Sequence, residues 1–163
     1  MTITTGDTLP NATLLYMGDD GPASVELKDK LAGRKVVIFG LPGAYTGTCT
    51  TAHVPSFIRT AEAFKAKGVD EIICLAVNDP FVLAHWEEHT GAAAAGITTL
   101  GDPESKYTTA IGMNFSAPAV GFFERSKRYA MVVVDGVVTV INPETSRSEC
   151  EISGGENLLD QMV

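Results

Sequence analysis

The sequence predicts an α/β fold, a mixed β-sheet with helices on both faces, and three observations carry that reading. Lys35 to Leu41 and Glu71 to Val77 are mostly apolar runs with β-branched residues, as buried parallel strands are, and a helical pattern fills the chain between them. Asp135-Gly136, set between two further apolar runs, is a strong signal for a tight hairpin, which makes the sheet antiparallel on that side. Asp79-Pro80 and Asp102-Pro103 each join a capping residue to a proline suited to a first helical position, so helices alternate with the strands.

In chain order, Asn11 to Met17 and Ser24 to Leu27 read as a short strand pair around the turn-rich Gly18 to Pro22. With a helical scrap at Lys28 to Leu31 they form a lid over the rest of the fold. After the Lys35 strand a helix is expected from about Thr50 to Lys67, with Phe57, Ile58, Ala61 and Phe64 on one face and Gly68 closing it. Its crossover should be right-handed, and Pro55 should kink it one turn after Cys49. The helix opened by Asp79 runs to Gly91, Ala92 to Gly96 is a loop, and the helix opened by Asp102 ends near Gly112. Tyr129 to Val134 and Val137 to Asn142 flank the hairpin turn. Ser153-x-x-Glu156 is a capping box ahead of Leu158, Leu159 and Met162, which predicts a C-terminal helix packed back on the sheet. With no repeat and no linker, residues 1–163 read as one domain.

Composition narrows the function. Hydrophobic residues at 45% and charged residues at 20% describe a folded protein, and no apolar run reaches membrane-spanning length. The N-terminal residues lack the pattern of a secretory signal or transit peptide, so the mature chain is expected to start near Met1. Three cysteines are too few for a disulfide scaffold and suit a reducing, cytoplasmic setting. A net charge of −8 argues against nucleic acid and anionic lipid as partners.

One stretch carries the chemistry. Cys49 follows the Lys35 strand and opens a helical pattern, where unpaired backbone N–H groups and the positive end of the helix dipole favour a thiolate. Its neighbours Thr46, Thr48, Thr50, Thr51 and His53 are polar, which argues against the alternative of a packed, inert thiol. The spacing Pro42-x-x-x-Thr46-x-x-Cys49 resembles the active-site motif of the peroxiredoxins, and the continuation through His53 and Pro55 resembles their type II, peroxiredoxin-5-like branch. Gly6-Asp7-x-Leu9-Pro10, Cys74 to Val82 and Lys127 to Val133 extend the similarity along nearly the whole chain. The sequence departs from the commonest pattern in Gly47, where proline is frequent and the loop should be looser, and in Tyr45, where phenylalanine is usual.

The resemblance implies a thioredoxin-like fold and a thiol-dependent peroxidase, an antioxidant enzyme acting on hydrogen peroxide and alkyl hydroperoxides through a sulfenic acid at Cys49. Deprotonation alone does not make such an enzyme fast. A thiol of pKa near 8.5 is already about 7% ionised at pH 7.4, so lowering the value to about 6 gains only about 13-fold. The remainder must come from donors aimed at the two oxygens as charge moves onto the distal one. Thr46 can accept from the peroxide O–H while donating to the sulfur, and Pro42 screens the site from water. Read alone, Arg128 is a solvated charge at a strand edge; the resemblance makes it the active-site arginine, donating to both sulfur and peroxide. His53 is either the base of a cysteine hydrolase or a group that shapes the pocket; the pocket role is preferred because no Asn or Asp partner can be placed.

Turnover needs a second thiol. Cys74 lies in a strand apolar on both faces and reads as a core thiol, while Cys150, in a polar stretch near the C-terminus, is the other internal candidate. The third is an external thiol, glutathione with glutaredoxin or thioredoxin. No cofactor or metal is implied, and homodimerisation is implied by the resemblance alone. One rival signal is His85-Trp86-Glu87-Glu88-His89, which fits the H-x-x-E-H zinc motif of inverted zincins and would propose a metallopeptidase using His85, Glu88 and His89. No third ligand is identifiable, and the plainer reading packs the helix through Phe81, Ala84 and Trp86 and leaves Glu87, Glu88 and His89 wet. A thioredoxin-like redox sensor, which would share the reactive thiol without turning over, is the non-catalytic alternative.

Overall fold

A computed structural model describes residues 2–146 and 148–162. Met1, the expected start of the mature chain, lies outside the described residues, as do Arg147 and Val163. In order, the elements are β1 (Thr13–Gly18), β2 (Gly21–Glu26), α1 (Leu27–Leu31), β3 (Lys35–Leu41), α2 (Val54–Ala66), β4 (Glu71–Ala76), α3 (Pro80–Thr90), β5 (Thr98–Gly101), α4 (Lys106–Ala110), β6 (Asn114–Ala117), β7 (Phe122–Ser126), β8 (Tyr129–Val134), β9 (Val137–Pro143) and α5 (Gly155–Asp160). Seven strands form one mixed sheet in the order β2-β1-β5-β4-β3-β8-β9, and β6 and β7 form a separate antiparallel pair. β3, β4 and β5 are parallel, whereas β8 runs antiparallel to β3.

Side chains of β3 alternate between two cores. Val37, Phe39 and Leu41 join Phe57, Ala61 and Phe64 of α2, Trp86 of α3 and Leu158 of α5, while Val36 and Ile38 join Leu27 and Leu31 of α1, Tyr107 of α4 and Met131 of β8. Helices therefore cover both faces, as expected. The Asp135-Gly136 turn is also as expected, with both residues at positive φ (48° and 81°), which fits the twist of a two-residue hairpin. Asp79 accepts from the Val82 amide at 3.0 Å and caps α3, which Gly91 closes in the left-handed conformation.

Several expectations need correction. The β1–β2 pair is the edge of the main sheet, joined through β1 to β5, and not a lid. Asp102 does not start a helix at Pro103. Its carboxylate accepts from the amides of Tyr107 and Thr108, so the chain first turns and α4 begins only at Lys106. Ser153 does not cap α5 either. The cap position is Gly154, and the first free amide, on Gly155, donates to Ser56 Oγ of α2 at 2.9 Å. Phe81 is 65% exposed and does not pack α3; Leu83 and Trp86 do, and Glu87 is half-buried instead of wet. Strands β5, β6 and β7 lie outside the expected set, being short segments without clean alternation.

Candidate active site

Cys49 is placed by the end of β3 and by a break in the helix that succeeds it. Between Leu41 and α2 the chain loops outward, regains helical backbone at Gly47, and widens into a π turn over Cys49–His53, closed by the Val54 amide donating to the Cys49 carbonyl. Pro55 explains the break. It has no N–H and its ring crowds the preceding turn, so the irregularity expected as a kink is taken up as this wide turn. Thr51 Oγ1 donates to the Gly47 carbonyl at 2.9 Å and ties the turn together. Gly47 itself is open to space on the side a Cβ would occupy.

The loop is held from outside by two residues that no sequence motif singles out. The Ala44 amide donates to Asn78 Oδ1 at 2.9 Å, and Arg125 Nη1 donates to the Pro42 carbonyl at 3.0 Å. Pro42 is buried. Thr46 Oγ1 donates to the Gly43 carbonyl at 2.7 Å. Its one proton is committed there, which corrects the expectation that it donates to sulfur and leaves its lone pairs to accept.

Arg128 is not a solvated charge. It is 1% exposed and its Nη2 donates to Cys49 Sγ at 3.2 Å, a charge-assisted contact placed to stabilise negative charge on the sulfur. Its Nη1 donates to His53 Nδ1 at 3.1 Å, and His53 Nε2 donates to the Ser153 carbonyl at 3.1 Å. Both ring nitrogens of His53 are thus engaged while the imidazole stays neutral. Burial, and next the Arg128 charge, press its pKa down to about 3 against the opposing bond to Ser153. A histidine whose acceptor nitrogen already holds a guanidinium proton cannot serve as a base toward Cys49; fully buried and absent from the cavity lining, His53 meets the site only through Arg128.

A cavity of about 260 Å³ reaches Arg128 and is lined among others by Pro42, Thr46, Thr48 and Phe122, with Cys49 buried beyond its lining. The other two thiols differ sharply. Cys74, in β4, is wholly buried, and burial, with Cys49 and Glu87 nearby, pushes its pKa well up against the pull of Arg128. Cys150 is half-buried in a segment outside any helix or strand; burial pushes it up too, with the Arg128 charge opposing. That segment lies against the Cys49 turn, since Thr48 Oγ1 donates to the Ser148 carbonyl at 3.0 Å as His53 does to Ser153.

The structure gives His85 and His89 a different use from zinc. Both rings lie against Tyr45, whose hydroxyl hydrogen-bonds His85 Nδ1. Among the described residues no group of three or more His, Cys, Asp or Glu is placed to hold a metal ion, so Glu88 does not complete a site with them.

A model of the Redoxin family matches residues 4–159. Peroxiredoxin-2E-2, chloroplastic, from Oryza sativa subsp. japonica is 45% identical over 150 residues, covering 88% of this chain and 65% of that protein, so the chain spans just under two thirds of that relative. Peroxiredoxin-2C from Arabidopsis thaliana is 39% identical over 158 residues, 96% of each chain. The crystal structure of reduced Prx3 from Vibrio vulnificus in complex with hydrogen peroxide superposes with a TM-score of 0.92 at 40% identity, over 99% of this chain and all of that one.

Proposed function

The chain belongs to the redoxin family as a type II peroxiredoxin, a thiol-dependent peroxidase, and we propose that Cys49 is its peroxide-reducing thiol, with Thr46, Arg128 and Pro42 completing the site. The observation that carries the assignment is the buried Arg128 Nη2 at 3.2 Å from Cys49 Sγ. The thiolate forms an S–O bond to the proximal oxygen of the peroxide, and the O–O bond breaks with its electron pair on the distal oxygen, which leaves as water or an alcohol once protonated. Cys49 becomes a sulfenic acid. Thr46 accepts from the peroxide O–H, because its own proton is held by Gly43, and Arg128 donates to sulfur and to the oxygens as charge develops. The peroxide-bound Vibrio Prx3 supports hydrogen peroxide as a substrate, and the Phe122 and Pro42 walls of the cavity suit the alkyl group of an organic hydroperoxide.

Cys150 is the resolving thiol on this reading. Its segment rests on the Cys49 turn and carries no ladder bonds, whereas Cys74 would have to leave the centre of the sheet. Its thiolate attacks the sulfenic sulfur, releases water and leaves a disulfide, which thioredoxin or glutathione with glutaredoxin reduces. We place the protein in a reducing, cytoplasmic compartment, a reading supported by its three free thiols. Among the described residues no helix is long and apolar enough to cross a membrane. Exposed Tyr45 and Phe81, which follow the carboxyl ends of β3 and β4, and exposed Val120 on the cavity wall support a homodimer formed through that end.

One equivalent of hydrogen peroxide added to the reduced protein, quenched within seconds by a thiol-blocking reagent and read by peptide mass, tests the assignment. Oxidation confined to Cys49, ending in a Cys49–Cys150 disulfide, is expected. One retained oxygen on Cys49 would move resolution to the external thiol, and a Cys49 that stays reduced would overturn the assignment.

A further inference from the structure

We infer that Arg125 is a positioning residue for the peroxide site, acting through the Pro42–Gly43 peptide on the hydroxyl of Thr46; the inference rests on the peroxidase reading above. The Pro42 carbonyl and the Ala44 amide flank Gly43, and each is held by a side chain from elsewhere in the fold, the first by Arg125 Nη1 at 3.0 Å and the second by Asn78 Oδ1 at 2.9 Å. With both flanks fixed, the Gly43 carbonyl has one direction. It accepts from the Thr46 hydroxyl at 2.7 Å and the Thr46 amide at 3.4 Å, so it sets which way the Thr46 lone pairs face.

The placement of Arg125 is specific. The β6–β7 ladder slips register between Phe115 and Ala117, and Glu124, immediately before Arg125, has φ 48°. A bulge of this kind re-aims the side chain beside it. The guanidinium lies 5.2 Å from the centroid of the Phe122 ring, which lines the cavity, and it fills the space a Cβ on residue 43 would need. Arg125 thus braces the floor of the cavity at Pro42 and its wall at Phe122. The donor on the sulfur is Arg128, so the two guanidinium groups divide the site between them.

That separation defines the test. Arg125→Met keeps the volume and removes the donor; Arg125→Lys keeps a cation that can still reach one carbonyl. The rate of Cys49 oxidation by hydrogen peroxide is measured by rapid mixing, beside the pH profile of Cys49 alkylation by iodoacetamide. Positioning predicts oxidation slowed roughly 10- to 100-fold in Arg125→Met, an alkylation profile that superimposes on that of the unmodified protein, and most of the rate recovered in Arg125→Lys. An unchanged oxidation rate, or a loss matched by an equal loss of alkylation, overturns the inference. If Arg125→Met does not fold, Asn78→Ala frees the other flank of Gly43 and is read the same way. The unmodified protein separates this from the parent reading: if it is itself unreactive the peroxidase assignment fails, and if it is fast while the variants are equally fast only the role of Arg125 fails.

Discussion

His53 stands four residues after Cys49, where a cysteine hydrolase could keep its base, yet its ring is fixed between the Arg128 guanidinium and the Ser153 carbonyl. Its protonation differs between states. In the unfolded chain it takes a proton near pH 6.5 and in the fold only near 3, so across that window the unfolded state binds more protons. Its contribution to stability is therefore full above about pH 6.5 and is lost progressively on acidification. Urea midpoints between pH 5 and 6 should fall with a slope steeper by about one proton, about 1.4 kcal/mol per pH unit, than in His53→Gln. Equal slopes would mean that the imidazole is not held neutral. Thr46 is testable at the same scale: Thr46→Ser should retain most of the peroxide rate, while Thr46→Val, which has no lone pairs to offer, should lose about 100-fold in rapid-mixing kinetics. Cys49, Thr46, Pro42 and Arg128 were legible in the sequence because a local spacing and a second matching segment carry them. The roles of Asn78 and Arg125 were not, because their bonds join residues 34 and 83 positions apart: Asn78 lies inside a matching segment that says nothing of its partner, and Arg125 lies in none.

At the scale of elements, α2 and α5 meet without a gap. A Cβ on Gly155 would come within 2.6 Å of the Ser56 carbonyl, and the Gly155 amide already uses Ser56 Oγ. Gly155→Ala should cost about 1–3 kcal/mol and loosen α5 together with the segment before it. Faster alkylation of Cys150 with unchanged exchange protection in β3 and β4 is the expected signature; uniform loss of protection would show instead that α5 docking is inseparable from the rest. The glycine contact also explains why the Ser153-x-x-Glu156 pattern misled. The free amide of the first turn finds its acceptor on another helix, and Glu156 turns to Arg59 at 2.7 Å instead of capping. The strands of the parallel core and the Asp135-Gly136 hairpin were legible because burial and turn chemistry agree there; β5, four residues long, offers too little sequence for either signal.

For the whole molecule, the sheet order is what assembles the site. β3 and β8 are neighbours with Gly40 paired to Tyr129, so the residue before Tyr129 faces the start of the loop that leaves β3. Arg128 and Cys49 meet because one precedes a strand whose antiparallel partner the other follows, across 79 positions of sequence. No local pattern contains that pairing, although each half was visible. The consequence is a guanidinium fixed on the sulfur before any peroxide arrives, and under the proposed function most of its effect falls on the breaking O–O bond. The most direct test is the rate of Cys49 oxidation by hydrogen peroxide in Arg128→Met and in the unmodified protein, tracked upward from pH 6 until each rate stops rising with pH. The account predicts that Arg128→Met remains slower by about 100-fold or more at the high-pH plateau. Convergence of the two rates there would contradict it and reduce Arg128 to a means of deprotonating Cys49.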